Sequence, residues 1–163
     1  MCGHNHPHYR TCDLITDLLG SGKSSRLYRR LVLEEKLFTE ADACISGEEN
    51  PGIILVSGKM QEGVNPDVAA EALRKEVGRL SEQKVEDYEL QKVINRYENT
   101  FVFSQYKAAD RGLGLCYYTW LGDTSLVNGD PDHYRQITPS LLQQVAAEVF
   151  RQEAENSLYY LKK

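Results

Sequence analysis

The stretch LLGSGKSSRLYRRLVLEEKLFTEADA, Leu18 to Ala43, contains the change of pattern that decides the fold. Just before it, DLITDLL spaces its leucines at helical intervals, and Gly20-Ser21-Gly22 is typical of a helix that stops and restarts. After Glu35 the residues change to a strand-like pattern. The stretch therefore predicts two helices joined by a tight corner and followed by a strand.

Gly22-Lys23-Ser24 also matches the end of a phosphate-binding loop, which would indicate nucleotide binding. That loop requires a glycine at position 17, where this chain has Asp17. A carboxylate there would point into a cradle built for phosphates, and such a loop follows a buried strand rather than a helix. We therefore expect no binding of ATP or GTP.

Composition restricts the class of protein. A chain of 163 residues, 41% hydrophobic and 26% charged, can bury a full core without disulfides or metal, so we expect a single domain over residues 1–163. The net charge of −5 argues against nucleic acid and anionic membranes as partners. The longest apolar run, IILV at 53–56, is too short to cross a bilayer.

The compartment stays open between cytoplasm and periplasm. The N-terminal residues contain no apolar signal-peptide segment, but a piece of a longer protein would not need one. The four cysteines are scattered without a C-x-x-C pair, which is typical of reduced or buried thiols.

Hydrophobic periodicity predicts the order α-α-β-β-α-α-α-β, and hence an α+β fold with one mostly antiparallel sheet and helices packed on one face. A β-hairpin is expected around the turn residues Pro51-Gly52. Thr138-Pro139 is a typical helix start. The five helices of that order are 9–19, 24–35, 66–82, 86–101 and 138–150, and its strands are 39–47, 52–60 and 156–163. A further segment, 106–122, is helix-like but irregular because Gly112 and Gly114 interrupt it.

Histidines are the first candidates for chemistry. His4, His6 and His8 alternate in HNHPH and could collect a transition metal, but ligands must be held rigidly, and a frayed N-terminus is the simpler interpretation. His133 falls in GDPDHYRQ, which we interpret as a loop whose aspartates face water. We predict no metal site from these residues.

No catalytic motif is present. H-x-x-E-H, H-E-x-x-H and G-x-S-x-G are all missing from the sequence. Cys116, beside Tyr117 and Tyr118, is most simply explained by core packing. We therefore assign no catalytic residue and no cofactor to this chain.

Several blocks, in this order and spacing, suggest a family. LLGSGKSSRLYRRLVLEEKLFTEADA, GIILVSGKMQEG, VEDYELQKVINRYENTF and DPDHYRQITPSLLQQVAAEVF resemble the pitrilysin or insulinase-like zinc peptidases, which include mitochondrial processing peptidase. In the non-catalytic repeat of that family, a helix ends in a Gly/Ser loop and restarts. The resemblance covers roughly Pro7 to Leu161. It implies that Ser24 and Ser25 open the second helix and accept a hydrogen bond from a free helical N–H.

The resemblance also implies a function. Members of this family are built as two homologous halves that close around an unfolded peptide, and one half carries H-x-x-E-H and the zinc. Because this chain lacks that motif, it resembles the C-terminal, non-catalytic half or a fragment of it. Its implied partners are a catalytic half, from the same parent or from a partner subunit, and a peptide substrate.

One departure from the family concerns substrate binding. Active relatives use an Arg and a Tyr in a pattern like L-R-E-K-x-G-L-A-Y, which matches LVLEEKLFT, Leu31 to Thr39. Val32 or Leu33 stands in place of the Arg and Thr39 in place of the Tyr, and neither can replace a guanidinium or a phenol. We therefore carry over no substrate-binding residue.

Two alternatives stay open: a structural, non-peptidase paralogue that acts as an interaction subunit, and an unrelated α+β binding domain. An H-x-x-E-H upstream in the parent reading frame would favour the peptidase.

Without the Arg and Tyr, peptide binding is expected to use strand addition, with 39–47 as the edge. The family's first strand is also missing, so we expect a sheet of about three strands and self-association of the isolated chain.

Overall fold

The computed structural model describes residues 1–46 and 49–160. Within those residues the fold is rich in helix and contains one two-stranded antiparallel sheet, which confirms the α+β class. In chain order the elements are α1 (Tyr9–Gly20), a π-helix (Tyr28–Glu34), β1 (Phe38–Ile45), β2 (Ile54–Met60), α2 (Pro66–Glu82), α3 (Asp87–Ser104), α4 (Ala108–Trp120), α5 (Leu126–Arg135), α6 (Pro139–Val149) and a single 3₁₀ turn (Gln152–Ala154).

The corner after α1 forms as the sequence predicts. The helix ends at Gly20, the Ser21 N–H donates to the Asp17 carbonyl at 3.0 Å, and Gly22 takes a φ of 80° that favours glycine. The expected serine caps are wrong. Within the described part of the chain, Ser24 Oγ instead accepts from Lys92 Nζ at 3.2 Å, and the buried Ser25 Oγ has no partner.

The second predicted helix is mainly a π-helix. Its wider turn is marked by the Glu35 N–H, which donates to the Arg30 carbonyl at 2.9 Å, five residues back. Leu31 stays fully buried, and Lys36, with a φ of 53°, turns the chain into β1. The expected α-helix over 24–35 is therefore corrected to a segment that is mainly π-helix and that ends in a sharp turn at Lys36.

The hairpin is confirmed. Cys44 pairs with Leu55 and Ile45 with Ile54, while an irregularity interrupts the register between Phe38 and Glu40. Part of the connection between the strands, Gly47 and Glu48, lies outside the described residues.

One core joins the sheet to the helices. α1 lies at its centre, against β1, α3 and α6. The predicted apolar faces of α3 and α6 are buried, and Thr138 caps α6 by accepting from the Leu141 N–H at 3.2 Å. The leucines with essentially no exposed surface are Leu14, Leu18, Leu19, Leu27, Leu31, Leu80 and Leu142.

The closing strand is not found. In the described part of 156–163, which ends at Tyr160, the chain is neither strand nor helix, and Leu158 is 96% exposed. Arg74 binds Glu155 and Ser157 instead, at 2.6 and 2.9 Å. The segment has no neighbouring strand among the described residues, so the sheet there has two strands rather than three. Self-association of the isolated chain stays a prediction.

Two further corrections concern helices. α4 runs without interruption through Gly112 and Gly114. Neither glycine is needed for close packing, since an added Cβ would meet no atom closer than 4.0 Å, and their only cost is the low intrinsic helix propensity of glycine. The segment 129–136, interpreted as a loop, lies largely in α5, with Pro131 inside the helix. Proline normally disfavours a helix interior, which is why the sequence pattern predicted a loop at 129–136.

No helix in the described ranges has both the length and the apolarity that a bilayer span demands.

Candidate functional site

The stretch that replaces the family's Arg and Tyr, Leu31 to Thr39, is partly exposed. Leu33 is 55% exposed on the π-helix, and Thr39 is exposed in β1, where its hydroxyl donates to the Lys59 carbonyl at 3.1 Å. Neither side chain offers a charge or a phenol. The structure thus presents both positions to solvent with no chemistry that could clamp a peptide.

The hydrogen-bond pattern of the hairpin shows which backbone groups point outward. The Ser46 N–H donates to the Ile53 carbonyl at 3.1 Å, so Ser46 and Ile53 are a hydrogen-bonded pair. Because such pairs alternate along an antiparallel ladder, the backbone groups of Ala43 and of its partner Val56 point away from each other. Each strand therefore has an outer edge with its own set of N–H and C=O groups.

The outer edge of β1 is largely occupied. The Ala43 N–H donates to the Asp42 carboxylate at 2.8 Å, which satisfies that donor locally. Gly20, the last residue of α1, lies directly against the same backbone. The stretch 39–47 is an edge strand as predicted for its described residues, but a peptide could not add along its centre.

The outer edge of β2 is open. In the part of the chain that the structure describes, no further strand lies beyond it, so Ile54, Val56 and Gly58 present unpaired backbone groups there. The adjoining side chains Leu55, Ser57 and Lys59 are exposed. This edge has what strand addition requires: free main-chain donors and acceptors beside a mixed apolar and polar surface.

A buried polar cluster joins α1, α3 and α5. Asp130, only 5% exposed, accepts from Arg10 Nε at 2.6 Å and from the Tyr97 hydroxyl. The Tyr134 hydroxyl donates to Asp13 at 2.7 Å, and its ring stacks on Tyr97 with centroids 3.6 Å apart. This corrects the expectation that the aspartates of GDPDHYRQ face water, which holds only for Asp132.

Burial controls the electrostatics of this cluster. It raises the pKa of Asp13 to about 6, opposed by the hydrogen bond from Tyr134. Burial also raises the pKa of Tyr97, Tyr118 and Tyr134, so these phenols stay protonated. Each acidic group is neutralised or hydrogen-bonded within the cluster, and the arrangement is that of a structural network rather than of a catalytic acid and base.

The N-terminal histidines are not frayed. His4 is partly buried, with its ring 4.4 Å from that of Tyr9 and 5.2 Å from that of Tyr117. Burial, assisted by Arg10, lowers the pKa of His4. Among the described residues, no three His, Cys, Asp or Glu side chains come together as metal ligands would.

The cysteines differ from expectation. Cys116 is exposed rather than packed in the core, while its neighbour Tyr118 is buried. Cys12 is fully buried, and burial raises the pKa of its thiol to about 12. A thiol that resists deprotonation in this way is a poor nucleophile.

The start of α1, α5 and the residues around them enclose a cleft of about 450 Å³. Its walls are apolar at Leu126, Ile137 and Leu141. Sequence reasoning missed this cleft because the N-terminus was expected to fray and 129–136 to be a loop. The polar residues that line it are His4, Asn5, Arg10, Thr11, His133 and Gln136.

Comparison with known proteins identifies the family. A family model described as the peptidase M16 inactive domain matches residues 1–97, more than half of the chain. No curated protein matches the sequence.

Solved structures share the fold. The inactive peptidase domain of a protein described as a "putative zinc protease" from Bordetella parapertussis has a TM-score of 0.89 at 20% identity, covering 99% of this chain and 87% of that one. A protein of the same description from Bordetella pertussis has a TM-score of 0.86 at 21% identity, covering 98% and 87%. A protease from Helicobacter pylori has a TM-score of 0.86 at 19% identity, covering 93% of this chain.

The chain spans only 36% of the length of the Helicobacter pylori protease. At these identities the structures establish the fold, and the sequence match establishes the family. This chain therefore belongs to the peptidase M16 inactive domains, the non-catalytic domains that its resemblance to pitrilysin and insulinase-like zinc peptidases implied.

Proposed function

We propose that this domain is the non-catalytic half of a zinc endopeptidase, docked on a catalytic half that holds the zinc, and that it supplies chamber wall and a peptide-binding surface. The observation that carries the binding role is the open outer edge of β2. Main-chain pairing suits a peptidase of unfolded substrates because it does not depend on substrate sequence.

The peptide is placed on β2 rather than on β1 because the two edges differ. On β1, Asp42 already satisfies the outward Ala43 N–H at 2.8 Å. On β2, the outward groups of Val56 are free among the described residues. A peptide added to β2 would lie beside the exposed side chains of Leu55 and Lys59.

The test is a proline at the outward position. Val56→Pro removes a donor from the open edge and leaves the hydrogen bonds to β1 in place, whereas the control Val56→Thr keeps the N–H. Binding of a fluorescein-labelled unfolded peptide is followed by anisotropy, and circular dichroism checks the fold. We expect wild type and Val56→Thr to bind and Val56→Pro to bind at least about tenfold more weakly. Equal binding by Val56→Pro, or none by wild type, contradicts the proposal.

A structural, non-peptidase subunit is the second candidate. The exposed Leu33 and Thr39 support it because they lack the chemistry of a substrate clamp. The two candidates differ in whether the domain changes peptide cleavage when it joins a catalytic half.

A further inference from the structure

The side of α4 that faces away from the rest of the protein carries almost no charge. α4 packs on α5, where a Cβ added to Gly114 would lie 4.0 Å from Val127, and Tyr118 is buried. At 3.6 residues per turn, the exposed residues of α4 fall together on the opposite side of the helix, and Arg111 is the only charged residue among them. The uncharged exposed residues, which we call the α4 face, are Ala108, Ala109, Gly112, Leu113, Leu115, Cys116, Thr119 and Trp120.

A helix with water on its outer side normally presents charged and polar residues there. α2 follows this rule, since every exposed residue of α2 except Val68 is charged. α4 does not follow it, because Leu113 is 70% exposed and Trp120 is 58% exposed. An outward helix face of this composition indicates a surface that pairs with another apolar surface.

The sizes of the side chains suit a second copy of the same helix. Gly114 is the midpoint of α4, so two antiparallel copies related by a twofold axis at that level overlap over their whole length. The axis would bring Leu113 beside Leu113 of the second copy. It would also bring Trp120, the largest side chain of the α4 face, beside the small side chain of Ala109 of the second copy. The α4 face is therefore complementary to itself, as a twofold interface requires.

The charges at the two ends of α4 favour the antiparallel arrangement. Lys107 directly precedes the helix, and Asp123 lies three residues after its end. Both residues are exposed. Antiparallel packing places Lys107 of each copy at the same end of the pair as Asp123 of the other, whereas parallel packing would place like charges together. The helix dipoles also attract each other only in the antiparallel pair.

The length of α4 limits the strength of the association. A helix of 13 residues is about 20 Å long, so the contact belongs to the small class of interfaces, below about 1,200 Å². We propose that two copies of this chain pair through their α4 faces, as an antiparallel twofold dimer that dissociates on dilution. The dimer does not use the β2 edge and does not depend on the proposed function.

Leu113→Lys is the variant that tests the α4 face. It would place two like charges side by side at the twofold axis, and because Leu113 is exposed the fold of the monomer should not change, which circular dichroism checks. Leu33→Lys is the matched control, since Leu33 is 55% exposed on the π-helix and lies outside the α4 face. Lys107→Glu tests the antiparallel direction, because it would bring two acidic groups together at each end of the pair.

Sedimentation equilibrium measures the dissociation constant of the dimer over chain concentrations from about 1 mM to about 10 µM, the range that suits a small interface. Trp120 is the only tryptophan of the chain, so its emission should move to shorter wavelength as the dimer forms and buries the ring. We expect wild type and Leu33→Lys to dimerise equally. Leu113→Lys should weaken the dimer about tenfold or more, and Lys107→Glu about two- to fivefold.

Three results would overturn the proposal: a monomer at every concentration, a dimer as tight in Leu113→Lys as in wild type, or association that leaves the Trp120 emission unchanged. Equal weakening by Leu33→Lys would also overturn it, because the effect would then not be specific to the α4 face. An unchanged dimer in Lys107→Glu would contradict the antiparallel arrangement. A dimer that Val56→Pro abolishes and Leu113→Lys leaves intact would show that β2 edges pair instead.

Discussion

Gly20 lies so close to Ala43 that a methyl group on it would be 2.0 Å from the Ala43 nitrogen. The same methyl would be 2.8 Å from the Asp42 carbonyl carbon, so the obstacle is the peptide bond between Asp42 and Ala43. The last residue of α1 is thus fitted against β1, and this contact both joins helix to sheet and closes the outer edge of β1.

Gly20→Ala should therefore destabilise the fold. Backbone cannot move aside as a flexible side chain can, and we expect a loss of about 2–3 kcal/mol in the free energy of unfolding, measured in urea. Gly78→Ala in α2 is the control, because nothing lies within 4 Å of the added methyl. That change should raise stability by about 0.5–1 kcal/mol. Similar effects of the two changes would show that the contact is not tight.

Two aspartates of α5 provide a second comparison. Asp130 is buried against Arg10 and Tyr97, whereas Asp132 pairs with Arg135 at the surface. Asp130→Ala leaves the Arg10 charge uncompensated and should cost about 3–5 kcal/mol of stability. Asp132→Ala should cost less than about 1 kcal/mol. Thermal and urea unfolding measure both, and an equally mild loss for Asp130→Ala would mean that the cluster is well hydrated.

Asp13 should make stability depend on pH. Its folded pKa of about 6 lies above the ordinary value of 3.8, so the folded protein holds the proton more tightly. Protonated Asp13 therefore raises the free energy of unfolding by up to about 3 kcal/mol. This contribution is fully present below about pH 4 and is lost as the pH rises through 6.

Asp13→Asn cannot titrate and should remove this component of the pH dependence. The difference in unfolding free energy between wild type and variant is measured in urea from pH 4 to pH 7. It should change by about 1–3 kcal/mol over that range, with wild type losing stability as the pH rises. A difference that stays constant would place the Asp13 pKa near its ordinary value.

Sequence patterns predicted the parts of the fold that local chemistry determines. The Gly20 corner, the hairpin, the Thr138 cap and the apolar faces of α3 and α6 all follow from period, turn residues and capping. The family followed from the order of several blocks. These features depend on residues that are neighbours in the chain.

Tertiary contacts determined what the sequence could not predict. Asp130 meets Arg10 across 120 residues, and Pro131 made its helix look like a loop. The closing segment has strand composition, but a strand forms only beside a partner, and the described residues provide none. The cleft depends on an ordered N-terminus packed near α5, a relationship that no local pattern indicates.

Restoring the substrate-binding Arg and Tyr of active relatives, at positions 33 and 39, should increase catalysis if the parent is a peptidase. Leu33 and Thr39 are both exposed, so Leu33→Arg with Thr39→Tyr can be introduced without disturbing the core. In the two-half protein we expect the double variant to raise kcat/KM on an unfolded peptide by several-fold, because a guanidinium and a phenol would contact the bound substrate. Lys75→Arg, at an exposed position of α2 away from the hairpin, controls for an added surface Arg. No gain from the double variant would favour the structural subunit.

Reconstitution with a catalytic half tests the central claim most directly. The proposed partner is an H-x-x-E-H segment from the same reading frame or from a companion subunit, and cleavage of a quenched fluorescent peptide is measured for each half and for the mixture. We expect this chain alone to be inactive, and the mixture to cleave far faster than the catalytic half alone, with activity lost on zinc chelation. A catalytic half that cleaves equally well without this chain, or that does not bind it, would contradict the account.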